Sequence, residues 1–86
     1  MTRYRVAIAR TAITAIAALP RKEQPRVRAA IELLADTPRP PTCVALQGEP
    51  RAYRVRVGDY RLLYELFDDR LVILVVRVGQ RREVHH

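Results

Sequence analysis

The segment Tyr53-Arg54-Val55-Arg56-Val57 runs into Gly58-Asp59 and leaves as Tyr60-Arg61-Leu62-Leu63-Tyr64. Side chains on a strand alternate between faces, so Arg54 and Arg56 leave one face while Val55 and Val57 leave the other. Gly58-Asp59 is a tight-turn dipeptide, and it folds the following strand back with Arg61 aboard. A hairpin built this way gathers guanidinium groups on one surface. Like charges side by side are unfavourable, and no core would accept them. A polyanion makes such a surface useful, and a phosphate backbone is the obvious polyanion.

The remaining chain supplies a backing for that hairpin. Tyr4, Val6 and Ile8 alternate with Arg3, Arg5 and Ala7, which predicts a first strand with one polar face. Thr11 to Leu19 is apolar at helical spacing and stops at Pro20. Val27, Ala30, Ile31 and Leu34 form the stripe of a second, amphipathic helix, with Arg26, Arg28 and Glu32 on its opposite side. Pro25 belongs in the first turn of that helix, where backbone N–H groups lack helical partners. The two helices are expected to form a hairpin joined near Pro20.

Asp36 to Ala52 holds four prolines and Gly48, and reads as an extended connector, neither helix nor strand. Three strands follow: Tyr53–Val57, Arg61–Phe67 and Leu71–Val78, with Asp68-Asp69-Arg70 as the second turn. The unbroken apolar run Leu71 to Val76 suits a central strand covered on both faces. The expected architecture is a single α+β domain over residues 1–86, in the order β-α-α-β-β-β. Its antiparallel sheet carries the helix hairpin on one face and the arginines on the other.

Bulk properties agree with an anionic partner. The 86 residues carry a formal charge of +7, from 16 Lys+Arg against 9 Asp+Glu. Lys22 is the only lysine, and arginine is the better bidentate binder of phosphate. Cys43 stands alone, so no intrachain disulfide is expected, which fits a reducing cytoplasm. The Ala/Ile-rich stretch at 12–19 lacks a cleavage-site context and is too short to span a bilayer. A cytoplasmic protein without membrane contact is the expectation.

The order of elements resembles the RelE toxins of the RelE/ParE superfamily. The resemblance is carried by Leu46-x-Gly48, by the segment from Tyr53 to Tyr64, and by the closing Arg77-Val78-Gly79-Gln80-Arg81-Arg82-Glu83-Val84. It covers essentially the whole chain. It implies the toxic half of a type II toxin–antitoxin pair. Such a toxin enters the ribosomal A site and cuts the mRNA codon there through the ribose 2′-OH, without metal or cofactor. The implied partners are a cognate antitoxin, in a hetero-oligomer, together with the ribosome and mRNA.

Matched by motif, the family's basic pair falls on Arg54 and Arg56, the arginine after the turn on Arg61, and the tail arginine on Arg81. The closing aromatic position is occupied by His85. His85-His86 reads either as native residues or as the start of a purification tag. In-line attack places charge on the non-bridging oxygens, which guanidinium groups stabilise. Arg61 and Arg81 suit that task, and Arg54 and Arg56 suit positioning of ribose and phosphate. His85, if native, has a reference pKa near ~6.5 that suits proton transfer. Arg51, Tyr60 and Arg82 are further RNA-binding candidates. Tyr60 and Tyr64 stand open between core packing and stacking on a base. Arg77, within the apolar strand, reads as a paired structural residue. Relatives differ at two points: many have lysine in the pre-turn pair, and histidine where Gln80 stands. Two other functions fit the same family: a ParE-like inhibitor of DNA gyrase, and an inactive relative serving in a toxin–antitoxin repressor complex.

Overall fold

A computed structural model describes residues 3–80 of the protein. The elements are β1 (Arg5–Ile8), α1 (Arg10–Ala17), α2 (Gln24–Asp36), β2 (Val44–Ala45), β3 (Ala52–Val57), β4 (Tyr60–Phe67) and β5 (Val72–Gln80). The strands form one sheet in the order β1-β5-β4-β3-β2. The α+β architecture with a two-helix hairpin against one sheet face is the expected one. Among the described residues, no helix is long and apolar enough to cross a membrane.

Burial explains why the helices lie where they do. On β4 the side chains alternate strictly, with Tyr60, Leu62, Tyr64 and Leu66 buried and their neighbours half-buried. The buried set meets Val55 from β3 and Ile73, Val75 and Val78 from β5. Helix α2 lays Val27, Ile31 and Leu34 on this surface, and α1 adds Ala12 and Ile16. Pro25 sits in the first turn of α2, where it removes no helical hydrogen bond. The Gln24 amide donates to the carbonyls of Leu19 at 3.0 Å and Ala17 at 3.3 Å. It thereby satisfies groups that the end of α1 leaves without helical partners, and it fixes the bend between the helices.

Two details of the sheet differ from the sequence reading. β1 pairs with β5 in parallel, from Arg5 opposite Val72 to Ile8 opposite Val75, so the sheet is mixed. The connector also contributes a strand: Val44 and Ala45 pair antiparallel with Arg54 and Tyr53. Two residues have no hydrophobic period to read, and the surrounding prolines mask them. The apolar run of β5 is only half as enclosed as expected. Ile73, Val75 and Val78 enter the core, whereas Val72 and Leu74 are half-buried on the outer face.

Strand β5 also breaks its own alternation. Leu63 pairs with Arg77 but Tyr64 pairs with Val75, which leaves Val76 as an extra residue in a β-bulge. The Thr11 hydroxyl from α1 donates to the Val76 carbonyl at 3.3 Å. A one-residue shift moves every later side chain to the other face. Arg77 therefore lies on the outer face and Val78 returns to the core, where strict alternation from Val75 would have reversed both.

The end of the sheet away from Gly58 is closed by a polar clasp. The Arg39 guanidinium donates to Asp68 at 2.7 and 3.3 Å and to the Tyr53 hydroxyl at 3.0 Å. The Tyr4 hydroxyl donates to the same carboxylate at 2.6 Å. Beneath it, Tyr53 stacks on Tyr64 at 5.9 Å, and the Tyr64 hydroxyl donates to the Pro38 carbonyl at 2.8 Å. These contacts tie the proline-rich connector and β1 to the β4–β5 turn. The Arg39 and Tyr4 hydrogen bonds hold the Asp68 carboxyl below its ordinary value of 3.8. A depressed folded-state pKa gives stability that is complete above that value and is lost as pH falls through the folded one. The effect is modest, because both ion-pair side chains are about half exposed. Asp68→Asn should lower the melting temperature at neutral pH, with the deficit shrinking as pH drops below 3.8. Thermal melts across the acid range check this, and a deficit that is constant with pH would contradict it.

Candidate nucleic-acid interface

The β3–β4 register places the arginines. Arg56 pairs with Arg61, and Arg54 pairs with Leu63. Continuing onto β5, Arg61 pairs with Gly79 and Leu63 with Arg77. The outer face therefore carries two adjacent rows: Arg54-Leu63-Arg77, and Arg56-Arg61-Gly79. Rows lie about 7 Å apart along the strands, with strands about 4.8 Å apart across them. Four guanidinium side chains thus emerge from one small patch, on the side away from the helices. Gly79 ends the second row without a side chain.

Arg56 and Arg77 are exposed, whereas Arg54 and Arg61 are half-buried. Arg3, Arg26 and Arg39 form ion pairs with Glu32 and Asp36, with Glu23, and with Asp68. Arg54, Arg56 and Arg77 take no part in them. The Arg56 Nε donates to the Gly58 carbonyl at 3.3 Å, which folds its side chain back along the turn. Gly58 adopts a φ of +59°, a left-handed conformation that glycine takes without strain. The turn between Arg56 and Arg61 depends on it.

Two of the residues singled out from the sequence stand elsewhere. Tyr60 is a correction: it is only 8% exposed, belongs to the core cluster and faces the helices, so it presents no ring to a base. Its parity with Leu62 and Tyr64 carries that information, since Arg61 lies between them on the other face. Tyr64 is fully buried, and burial pushes its hydroxyl well above the usual tyrosine range. Arg51 is exposed but sits at the opposite end of β3, its guanidinium 5.4 Å from the Phe67 ring centre, with Arg70 over the same ring at 5.9 Å. It forms a separate basic cluster with Arg70. Arg81, Arg82 and His85 lie outside the described residues.

Arg77 is the residue that the sequence reading missed. Among the described residues, it makes no ion pair within the apolar strand. It is exposed and joins the row of Arg54. The signal that would have revealed it is the bulge, which no alternation pattern contains.

Two helices against a five-stranded mixed sheet is the fold of known RelE toxins. The RelE–RelB complex from Pyrococcus horikoshii is similar at a TM-score of 0.84 and 27% identity, over 96% of this chain and 100% of that one. A RelBE toxin–antitoxin complex from Mycobacterium tuberculosis is similar at 0.72 and 29%, over 93% and 100%. The isolated RelE toxin of E. coli shares the fold at 0.78 and 23% identity, over 90% and 83%. The family model of the ParE toxin of type II toxin–antitoxin system, parDE, matches residues 5–85. No curated protein matches the chain. The protein belongs to the RelE/ParE family and is a toxin of a toxin–antitoxin system.

A cluster of like charges on one face opposes folding and is relieved when one member is removed. Arg77→Gln should therefore leave stability within about 0.5 kcal/mol or raise it. The gain should be larger at low ionic strength, where screening is weak. Urea unfolding at two salt concentrations tests this, and a clear loss of stability at low salt would mean that Arg77 has a structural partner.

Proposed function

We propose that the protein is a ribosome-dependent mRNA endoribonuclease, active in the cytoplasm and held inactive by a cognate antitoxin in a hetero-oligomer. The observation that carries this reading is the register Arg56–Arg61 beside Arg54 and Arg77 on one open sheet face. Nothing in the packing of the core requires a charged surface there. A polynucleotide with one phosphate per residue does.

In the proposed reaction, the ribose 2′-oxygen attacks the adjacent phosphorus in line with the 5′-oxygen. The P–O5′ bond breaks, leaving a 2′,3′-cyclic phosphate and a 5′-hydroxyl. The 2′-OH loses its proton and the departing 5′-oxygen gains one. Negative charge builds on the non-bridging oxygens, and Arg61 and Arg81 stabilise it. Arg54 and Arg56 hold ribose and phosphate in the attack geometry. Arginine keeps its proton at any physiological pH, so these residues supply charge and orientation rather than base catalysis. His85, where native, supplies an imidazole for proton transfer. Arg51 and Arg82 add contacts to the RNA backbone.

The match to the ParE toxin model favours a second reading, in which the same scaffold inhibits DNA gyrase by binding it. The arginine face weighs against this, because a protein target does not call for four guanidinium groups in two rows. Single-turnover cleavage of A-site mRNA on programmed ribosomes separates the two. Arg61→Ala and Arg81→Ala should each slow cleavage by about 10²–10³-fold, the usual cost of removing a donor that stabilises transition-state charge. Both variants should still bind antitoxin. Wild-type cleavage rates from both would overturn the ribonuclease reading, and inhibition of gyrase supercoiling without any mRNA cleavage would replace it.

A further inference from the structure

The β3–β4 turn is approached from the helix side by a guanidinium group that the sequence assigns to solvent. A Cβ built on Gly58 would lie 3.1 Å from both Cζ and Nη1 of Arg26 and 3.4 Å from Nη2. The three atoms are nearly equidistant from that point. The guanidinium of Arg26 therefore lies face-on to Gly58, with its N–H edges directed away from the turn. Arg26 belongs to the first turn of α2, yet its side chain crosses to the far end of the β3–β4 hairpin.

Gly58 is thus held between two arginines, Arg26 over its Cα and Arg56 on its carbonyl oxygen. The Arg26 side chain is 62% exposed, and among the described residues its one ion-pair contact is a long one, 3.8 Å to Glu23. That carboxylate is close enough to orient the guanidinium and too distant to occupy its donors in a hydrogen bond. An exposed guanidinium seated on a glycine, beside two others paired across the same turn, is arranged for an anion.

We propose that Arg26, seated over Gly58, is a phosphate-binding position that carries the arginine face around the β3–β4 turn. It takes the backbone phosphate of single-stranded RNA next to the one held by Arg56 and Arg61. This position rests on the ribonuclease reading above and extends the RNA path from the outer sheet face towards the N-terminal end of α2. Gly58 has two roles here: it permits the left-handed turn, and its missing side chain is the seat for Arg26. Arg26 binds the RNA backbone and takes no part in the bond-breaking step.

The test is binding of a fluorescein-labelled oligouridylate to the full chain, followed by anisotropy across a salt series. Each phosphate contact with a single strand contributes about 0.7 to the slope of log K against log salt. Arg26→Gln should make the slope shallower by about that amount. In ribosome-dependent cleavage it should raise KM with kcat unchanged, and it should leave the melting temperature unchanged. Arg26→Lys keeps the charge and should keep the wild-type slope. A wild-type slope from Arg26→Gln, alongside shallower slopes from Arg54→Gln and Arg56→Gln, would overturn this inference and leave the ribonuclease reading standing. Unchanged slopes from all three would overturn both.

Discussion

The molecule depends on a sheet that is covered on one face only. The helix hairpin buries Val55, Tyr60, Leu62, Tyr64, Ile73, Val75 and Val78 against Val27, Ile31 and Leu34. Every residue between them on β3 and β4 is thereby sent outward. Burial of apolar area at roughly 25 cal/mol per Å² fixes the inner face. The period of two then fixes the outer one at no additional cost. Arg54, Arg56 and Arg61 owe their common surface to the residues that alternate with them, not to any attraction among themselves. The bulge at Val76 completes the patch by returning Val78 to the core and turning Arg77 outward.

This division of labour places like charges side by side on strands that are held by their own pairing. The arginines project from strands locked by a full antiparallel ladder between β3 and β4, from Ala52–Glu65 to Val57–Tyr60. At the opposite end, the Arg39–Asp68–Tyr4 clasp and the Tyr53–Tyr64 stack hold the connector against the same strands. The β3–β4 turn is thus the exposed end of a well-anchored hairpin. The backbone positions from which the guanidinium groups project are thus set before an anion arrives, which lowers the cost of ordering them on binding. Membership of the RelE/ParE family places the protein among toxins of toxin–antitoxin systems, and the proposed nucleolytic reading rests on the chemistry of the outer face.

Much of this was legible in the residues. The Gly58-Asp59 turn and its flanking alternation point to the β3–β4 pairing, because a one-residue slip would set the arginines of one strand against the core residues of the other. The stripe Val27, Ala30, Ile31 and Leu34 locates the inner face of α2. What escaped the sequence has physical causes. Val44 and Ala45 are too few to show a period, and they become a strand only because β3 offers an edge. The bulge arises from β5 fitting β4 and α1 at once, so Arg77 changes face for tertiary reasons. Arg26 points outward on a helical wheel, but its long side chain reaches a glycine more than thirty positions away in sequence. Tyr60 stood open between core packing and stacking on a base, and its parity with Leu62 and Tyr64 sends it to the core.

The central claim is that the open sheet face is a phosphate-binding surface. Arginine Nε–Hε NMR resonances, followed while an oligoribonucleotide is titrated into the protein, test it most directly. The expected result is that Arg54, Arg56, Arg61 and Arg77 shift together and saturate together, while Arg3 and Arg39, engaged in ion pairs away from the β3–β4 turn, stay in place. Shifts confined to Arg3, Arg39 and the helices, or no saturable shift at all on the sheet face, would contradict it.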